Sequence, residues 1–218
     1  LLHALGRASG ERAWLLAHDG DTLAPEVGDR FQKLLVRRLA GEPVAYLLGE
    51  KEFHALALQV DARVLVPRPD TETLVDWAIE RLTGLREVRV IDLGTGSGAI
   101  ALALQKARPD LQIHAIDASQ DALAVARANG ERLGLPVRFA HGNWLEGAGS
   151  GYGLIVSNPP YIRADDPHLP ALRHEPLSAL AAGADGLDDI RRIVQAAPDH
   201  LADAGWLLLE HGHDQAAD

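Results

Sequence analysis

The sequence contains no cysteine, no methionine and no apolar run long enough to span a membrane. The absence of cysteine excludes disulfide bonds and metal sites built from thiolates. No segment near the start resembles a secretory signal, so we expect a cytoplasmic protein without a membrane partner. The absence of methionine and the abrupt ends at Leu1 and Asp218 lead us to expect that the sequence is incomplete.

The chain also lacks the excess of basic residues that nucleic-acid-binding proteins carry. Its formal net charge is −10, and acidic and basic residues balance over 1–49, so the remainder carries the whole negative charge. We therefore expect no nucleic-acid partner. Histidines are present, but His211-Gly212-His213 completes no set of metal ligands, and we predict no metal site.

Three regions of different character follow one another along the 218 residues. Residues 1–49 carry apolar residues at steps of three and four, which predict a small helical domain. Residues 50–66 alternate between apolar and polar positions, which predicts a β-hairpin that turns near Asp61-Ala62 and links the two domains. Residues 67–218 form the larger domain, and Thr71 is the predicted N-cap of its first helix.

From residue 88 onward, segments typical of strands alternate with segments typical of helices. The predicted strands are Val88–Leu93, Gln112–Asp117, Val137–Ala140, Leu154–Ser157 and Trp206–Glu210. The predicted helices between them are Ala99–Ala107, Gln120–Leu133 and Gly186–Ala202. This alternation predicts the α/β class, with a doubly wound, Rossmann-like parallel sheet covered on both faces. Ligands of such sheets bind beyond the carboxyl ends of the strands.

A glycine-rich loop, Asp92-Leu93-Gly94-Thr95-Gly96-Ser97-Gly98, follows the first of these strands. Glycines at alternate positions let the backbone pass close beneath a ligand before the next helix begins. The same spacing satisfies the loose dinucleotide fingerprint, so an NAD-dependent oxidoreductase is one alternative. Asp92 favours another ligand, because a carboxylate beside the loop suits an ammonium group better than a pyrophosphate.

Side chains that suit a nucleoside follow the next two strands. Asp117 ends the second strand, where a carboxylate can accept hydrogen bonds from both ribose hydroxyls. The alternative role for Asp117 is the N-cap of the following helix, but Ser119 already fills that role. Trp144 follows the third strand and can stack on an adenine, with an apolar loop anchor as the alternative.

The tetrapeptide Asn158-Pro159-Pro160-Tyr161 follows the fourth strand. The two prolines have no backbone N–H and a fixed φ, so the chain leaves the sheet in a stiff, extended shape. The side-chain oxygen of Asn158 and the carbonyl of Pro159 are left as acceptors for a planar NH2 group, whose face the Tyr161 ring covers. A proline-rich turn without function is the alternative. Combined with the nucleoside features, this tetrapeptide predicts a methyltransferase that uses S-adenosylmethionine.

Several short segments spread over nearly the whole chain carry a family resemblance. They are Gly41–Tyr46, Val66–Glu72, Asp92–Ile100, Ser157–Ile162, Glu175-Pro176, Ala179-Leu180 and Asp185–Leu187. In these segments the sequence closely resembles the release-factor glutamine methyltransferases. The resemblance implies transfer of a methyl group from S-adenosylmethionine to the side-chain amide nitrogen of a glutamine, with S-adenosylhomocysteine as product. The glutamine is that of the Gly-Gly-Gln motif of peptide chain release factors, which the helical domain helps to bind.

The resemblance also implies roles for residues already named. Together with Asp92, the predicted cofactor-binding residues are Gly94, Thr95, Gly96, Ser97, Gly98, Asp117, Trp144 and Asn158. The predicted substrate-binding residues are Asn158, Pro159, Pro160 and Tyr161, of which Asn158, Pro159 and Tyr161 are the predicted catalytic residues. The family's domain ends in an antiparallel pair of strands that this sequence lacks, and we expect that pair in the natural protein.

Two further alternatives stay open. Amino-methylating enzymes that act on adenine in nucleic acid share the Asn-Pro-Pro-Tyr segment, because an exocyclic NH2 presents the same two hydrogens as an amide. The negative charge of the larger domain argues against them. A catalytically silent module that keeps a nucleoside pocket is the other alternative.

Overall fold

The structure is a computed structural model that describes residues 1–8 and 10–216, and the chain divides into two compact units, Leu1–Gly49 and Glu50–Asp218. The first unit is helical, with α1 (Arg12–Ala17), α2 (Pro25–Leu39) and α3 (Val44–Leu48). Proline suits the first position of α2 because the N–H it lacks has no partner within the helix there. No helix in the described part of the chain is long and apolar enough to cross a membrane.

The second unit begins with an antiparallel hairpin, β1 (Glu50–Phe53) and β2 (Leu56–Gln59). The predicted position of its turn, near Asp61-Ala62, is wrong. The chain turns at His54 and Ala55, whose φ values of 46° and 57° are those that a two-residue hairpin loop requires. Val64 and Val66, predicted as part of a strand, are buried outside any strand.

The rest of the second unit alternates between helices and strands. The elements are α4 (Thr71–Arg81), β3 (Arg89–Leu93), α5 (Ala99–Ala107), β4 (Gln112–Asp117), α6 (Gln120–Leu133), β5 (Arg138–His141), β6 (Tyr152–Ser157), α7 (Asp188–Ala196) and β7 (Leu201–Leu209). Short 3-10 helices lie at Leu169–Leu172, Leu177–Ala179 and Ala197–Asp199.

Several predicted boundaries differ from the structure, most of them by one or two residues. The helix predicted over Gly186–Ala202 ends at Ala196, where a 3-10 turn containing Pro198 replaces it, because proline removes a helical N–H. The last strand begins at Leu201, earlier than predicted, and runs through an irregularity near Ala204, whose φ of 58° is unusual in a strand. Asp70, not Thr71, stands at the N-cap of α4, and Thr71 is the first helical residue.

The five strands β3 to β7 form one parallel sheet in the order β5-β4-β3-β6-β7, which confirms the predicted fold class. Side chains that alternate along a strand pack on opposite faces of the sheet. Val90 and Leu154 belong to the core shared with α4 and α5, whereas Ile91 and Ile155 belong to the core shared with α7. All four are fully buried, as expected for central strands of a sheet that is covered on both faces.

The strand order reverses direction between β3 and β6. From β3 the chain proceeds outward to β4 and β5, then returns to form β6 and β7 on the other side. The register pairs Leu93 with Ser157 and Ser157 with Leu209, so these three strands end side by side. The residues that follow them leave the sheet at one switch point, where open parallel sheets bind their ligands.

Candidate active site

A cavity of about 310 Å³ lies beyond the strand ends at this switch point. Six of the twelve predicted site residues line it, namely Gly94, Gly96, Asp117, Trp144, Asn158 and Pro160. They lie at or beyond the carboxyl ends of β3, β4, β5 and β6, so four strands contribute to the lining. The opposite wall comes from Arg63, Val64 and Leu65 and from the segment around Pro176 and Ala179.

The glycine loop after β3 forms the floor of the cavity. Gly94 and Gly96 have φ values of 68° and 56°, in the left-handed region that glycine adopts without strain. A Cβ on Gly94 would lie 3.3 Å from the Trp144 ring, so a larger residue would push this ring aside. The backbone N–H of Gly94 donates to the Ile116 carbonyl at 2.8 Å, which ties the loop to the end of β4.

Asp117 holds the loop after β4 and still has free acceptor capacity. Its Oδ2 accepts from the backbone N–H of Gly96 and its Oδ1 from that of Ser119, both at 2.8 Å. A carboxylate oxygen can accept more than one hydrogen bond, so both remain able to accept from a diol in the cavity. The predicted N-cap is confirmed, because the Ser119 hydroxyl accepts from the N–H of Ala122 at 3.1 Å.

Trp144 is held by a hydrogen bond from its indole ring and has an unusual backbone conformation. Its indole N–H donates to Asp189 Oδ1 at 3.2 Å, and its φ of 51° is rare outside glycine and asparagine. The ring is partly buried against the apolar core beneath α7 and lines the cavity beside Gly94. It thus combines the two predicted features, an anchor for its loop and an aromatic surface at the cavity.

Asp92 lies beneath the loop and does not line the cavity. It is fully buried and accepts from the Thr95 hydroxyl at 2.7 Å and from the Ala101 N–H at 3.3 Å. Its Oδ1 has no hydrogen-bond partner among the residues that the structure describes. Burial raises the pKa of Asp92 to about 7 despite these hydrogen bonds. The geometry favours a role in holding the loop over the predicted contact with an ammonium group.

Two other predicted loop residues also point away from the cavity. Thr95 and Ser97 are buried, and neither side chain is among those that line the cavity. The Ser97 carbonyl accepts from Asn129 Nδ2 at 3.0 Å, which fastens the loop to α6. Gly98, with a φ of 84°, is the residue before α5 and ends the loop.

The corner after β6 separates the first cavity from a second one of about 290 Å³. Asn158, Pro159 and Tyr161 line the second cavity together with Leu65, Arg68, Ile162, Leu172, Ala179 and Leu180. Asn158 also lines the first cavity, as do Leu65 and Ala179, so this residue borders both cavities. This arrangement suits an enzyme that brings two bound molecules together at one amide.

A series of side-chain hydrogen bonds holds this corner. Asn158 Nδ2 donates to Thr71 Oγ1 at 3.0 Å, and Thr71 Oγ1 donates to Glu210 Oε2 at 2.7 Å. The Tyr161 hydroxyl donates to Glu210 Oε1 at 3.0 Å. Burial and the neighbouring Glu210 raise the pKa of Tyr161 to about 12, so this hydroxyl keeps its proton at neutral pH.

The sequence analysis missed two of these residues. Glu210 ends the predicted strand Trp206–Glu210 and directly follows β7 in the structure, so the rule that ligands bind beyond strand ends was the signal that could have identified it. Thr71 gave no such signal, because a threonine at the start of a helix ordinarily acts as a cap. No group of three or more potential metal ligands occurs among the described residues.

Two family models match separate parts of the chain. The model described as "Methyltransferase small domain" matches residues 71–175, and the model described as "PrmC N-terminal domain" matches residues 1–49. The first match contains the glycine loop and the corner after β6. The second coincides with the helical unit.

The chain is also similar over its full length to known proteins. It is 50% identical over 221 residues to a protein of Xylella fastidiosa named release factor glutamine methyltransferase, covering 100% of this chain and 79% of the relative. It is 50% identical over 220 residues to the protein of the same name from Bordetella pertussis, covering 98% of this chain and 80% of that one.

A solved structure shares the fold. A SAM-dependent methyltransferase from Agrobacterium tumefaciens superposes with a TM-score of 0.53 at 19% identity, covering 77% of this chain and 53% of that chain.

Proposed function

The chain belongs to the family of release factor glutamine methyltransferases, and we propose that it methylates the side-chain amide of a glutamine in peptide chain release factors. The methyl donor is S-adenosylmethionine. The proposed target is the glutamine of the Gly-Gly-Gln motif. We propose the cytoplasm as its compartment, because release factors act there.

One observation carries the proposal: Asn158 lines both cavities. The cavity beside the glycine loop suits the methyl donor, and the cavity beside Tyr161 suits the glutamine side chain. A group that borders both cavities can hold the amide nitrogen facing the donor. Positioning of this kind can supply a large part of the rate acceleration when two molecules react.

The residues of the first cavity fit S-adenosylmethionine. Both oxygens of Asp117 can accept further hydrogen bonds, as the ribose diol requires. Trp144 offers an aromatic surface for the adenine, and the loop at Gly94 and Gly96 carries no side chain that would keep a ligand from its backbone. When bound, this cofactor supplies an electrophilic methyl group attached to a sulfonium.

The corner after β6 supplies two hydrogen-bond acceptors for the substrate amide nitrogen, which is a poor nucleophile. An amide nitrogen reacts weakly because its lone pair is delocalised into the carbonyl, which also keeps the group planar. Asn158 Oδ1 and the Pro159 carbonyl each accept one hydrogen of the substrate amide, and these contacts hold the nitrogen and favour positive charge that develops on it.

No general base is part of this proposal. Tyr161 keeps its proton because its pKa is about 12 and it donates to Glu210, so it packs against the amide and does not remove a proton. The substrate nitrogen becomes acidic once it carries the new methyl group, and its proton leaves to solvent.

The adenine-methylating alternative is disfavoured by the full-length similarity to proteins named for glutamine methylation. The negative charge of the second unit disfavours a polyanionic substrate as well.

The direct test incubates the enzyme with S-adenosylmethionine and a purified release factor, followed by mass spectrometry of the peptide that contains the Gly-Gly-Gln motif. We expect a mass gain of one methyl group located on the glutamine. A release factor with that glutamine replaced by alanine is the control, and adenine-containing RNA and DNA are parallel substrates. Methylation of nucleic acid without methylation of the release factor would overturn the proposal.

A further inference from the structure

We propose that Thr71 and Glu210 are positioning residues that fix which end of the Asn158 amide faces the substrate. This inference rests on the proposed function, because it concerns the same amide. The chain of contacts runs from Glu210 to Thr71 and from Thr71 to Asn158, with distances of 2.7 and 3.0 Å.

The order of donors follows from chemistry alone. A carboxylate has acceptors and no hydrogen to donate, so the hydroxyl of Thr71 must donate its single hydrogen to Glu210. The oxygen of Thr71 can then only accept from its other neighbour. The part of the Asn158 amide that meets Thr71 must therefore be the NH2 group, and Oδ1 is left for a ligand.

This polarity matters because the two ends of an amide have almost the same shape. If the Asn158 side chain rotated by half a turn, its NH2 would meet the NH2 of the substrate amide, and two donors would face each other. The acceptor that holds the substrate nitrogen would be lost without any change in the cavity's volume. Glu210 prevents this rotation through Thr71.

The three residues come from three elements that are fixed against one another. Thr71 begins α4, Asn158 follows β6 and Glu210 follows β7. The backbone N–H of Glu210 donates to the Ser157 carbonyl at 3.0 Å, and the Ser157 hydroxyl donates to the Leu93 carbonyl at 2.7 Å. The chain of contacts from Glu210 through Thr71 to Asn158 is thus attached to the ends of three neighbouring strands.

The same carboxylate also holds the second substrate-facing side chain. Glu210 Oε1 accepts from the Tyr161 hydroxyl at 3.0 Å, so one residue orients both Asn158 and Tyr161. Neither Thr71 nor Glu210 lines the first cavity, so changes at these positions leave the proposed cofactor contacts of Asp117 and Trp144 in place.

Three substitutions separate polarity from shape. Thr71→Val keeps the branched shape and removes the hydroxyl, whereas Thr71→Ser keeps the hydroxyl and removes the methyl. Glu210→Gln keeps the shape but introduces an NH2 that can donate to Thr71, which lets Thr71 donate to Asn158 Oδ1 and reverses the polarity. Thr73→Val, on the exposed side of the same helical turn, is the matched control.

We expect Thr71→Val and Glu210→Gln to lower kcat for release-factor methylation by about tenfold or more, the effect of losing one well-placed hydrogen bond. The KM for S-adenosylmethionine should change less than about threefold, because Asp117 and Trp144 are unaltered. Thr71→Ser should keep kcat within about twofold of the wild-type value. Thr73→Val, the control, should have the wild-type kcat. A general structural defect would not show this split or this rescue.

The side-chain NH2 of Asn158 gives a readout that does not depend on activity. Its NMR signals can be assigned by their loss in Asn158→Asp. In the wild type we expect one hydrogen to be shifted downfield and protected from exchange with solvent. Thr71→Val should abolish that protection and Thr71→Ser should keep it.

The two measurements distinguish the failure of each proposal. An active wild type with an unchanged kcat in Thr71→Val and an unprotected Asn158 NH2 would overturn the positioning role and leave the proposed function standing. A wild type that does not methylate the release factor, yet shows the protected NH2 with the expected response to Thr71→Val, would overturn the proposed function and leave the orientation of Asn158 established.

Discussion

Arg68 and Glu175 lie 107 residues apart in the chain and form a salt bridge, with 2.6 Å between Nη2 and Oε1. The other carboxylate oxygen of Glu175 accepts from the backbone N–H of Val66 at 2.9 Å. The Glu175 side chain is 3% exposed, so these two donors take the place of water around the carboxylate. One buried carboxylate thus joins the segment before α4 to the segment after β6, and residues of both segments line the two cavities.

We expect Glu175→Gln to lower both stability and activity. The substituted amide can accept from only one of the two former donors, and its NH2 faces the other. This mismatch should reduce the free energy of unfolding by about 1–3 kcal/mol, the usual cost of an unsatisfied buried polar group. Urea denaturation measures the change, and kcat/KM should fall because the wall of both cavities loosens.

The control for Glu175→Gln is Glu80→Gln, which breaks an exposed contact between Glu80 and Arg81. Exposed ion pairs contribute about 0–1 kcal/mol, so this variant should unfold almost as the wild type does. If both variants lost the same free energy of unfolding, the contacts of Glu175 would not stabilise the connection between the segment before α4 and the segment after β6.

Asn158→Ala directly tests the proposed acceptor for the substrate amide. The variant loses the acceptor that holds the substrate nitrogen, so we expect kcat to fall by about a hundredfold or more, as when an oxyanion-hole donor is removed. The affinity for S-adenosylhomocysteine, measured by calorimetry, should change by only a few-fold, because the contacts of Asp117 and Trp144 remain. Methyl transfer retained within a few-fold of the wild type would remove Asn158 from the mechanism.

The strands and the strand-end motifs could be predicted from the sequence because both depend on local patterns. The apolar run from Leu154 to Val156 and the glycines at 94 and 96 signal a buried strand and a close turn by themselves. The strand-end rule then groups Asp117, Trp144 and Asn158, and the structure brings these three residues to one cavity.

The partners of long-range polar contacts could not be predicted. Thr71 resembles a helix cap until Glu210, 139 residues away, is seen to accept its hydrogen. The hairpin turn at His54-Ala55 was missed because neither residue is typical of a turn with two positive φ values, so tertiary packing overrides local preference there. Asp92 looked available to a ligand because a sequence does not show that the loop folds over it.

Asp92 should impose a measurable pH dependence on stability. Its pKa of about 7 in the folded protein exceeds its ordinary value of 3.8, because burial disfavours the charged form. The folded state therefore binds more protons than the unfolded state between these values, and the stabilisation present below about pH 4 is lost as the pH rises through 7. A shift of this size corresponds to on the order of 4 kcal/mol.

The measurement compares urea denaturation of the wild type and Asp92→Asn from pH 4 to pH 8. Relative to the variant, the wild type should lose stability as the pH rises, and the difference should level off above pH 7. Asp110→Asn is the control without pH dependence over this range, because the Arg108 side chain lowers the pKa of Asp110 to about 2 and the carboxyl is ionised throughout. Parallel curves for the wild type and Asp92→Asn would rule out the raised pKa.

Gly186 lies directly against the backbone of the corner after β6. Its φ is 79°, and a Cβ there would stand 2.9 Å from the carbonyl carbon of Tyr161 and closer still to its oxygen. Gly84 has nearly the same φ, 81°, but nothing lies within 4 Å of the added carbon. The two positions therefore share the conformational cost of alanine, about 1–2 kcal/mol, and differ in the clash.

We expect Gly186→Ala to lose about 1–3 kcal/mol more free energy of unfolding than Gly84→Ala, the usual cost of overpacking. Because the clash pushes on the Tyr161 carbonyl, which also accepts from Gln215 Nε2 at 3.0 Å, kcat should fall in this variant. Gly84→Ala should keep the wild-type kcat, since Gly84 does not line either cavity. Equal stability and equal kcat in the two variants would mean that the backbone at Tyr161 shifts without a cost in free energy. The corner after β6 would then not be rigid enough to hold the substrate amide as proposed.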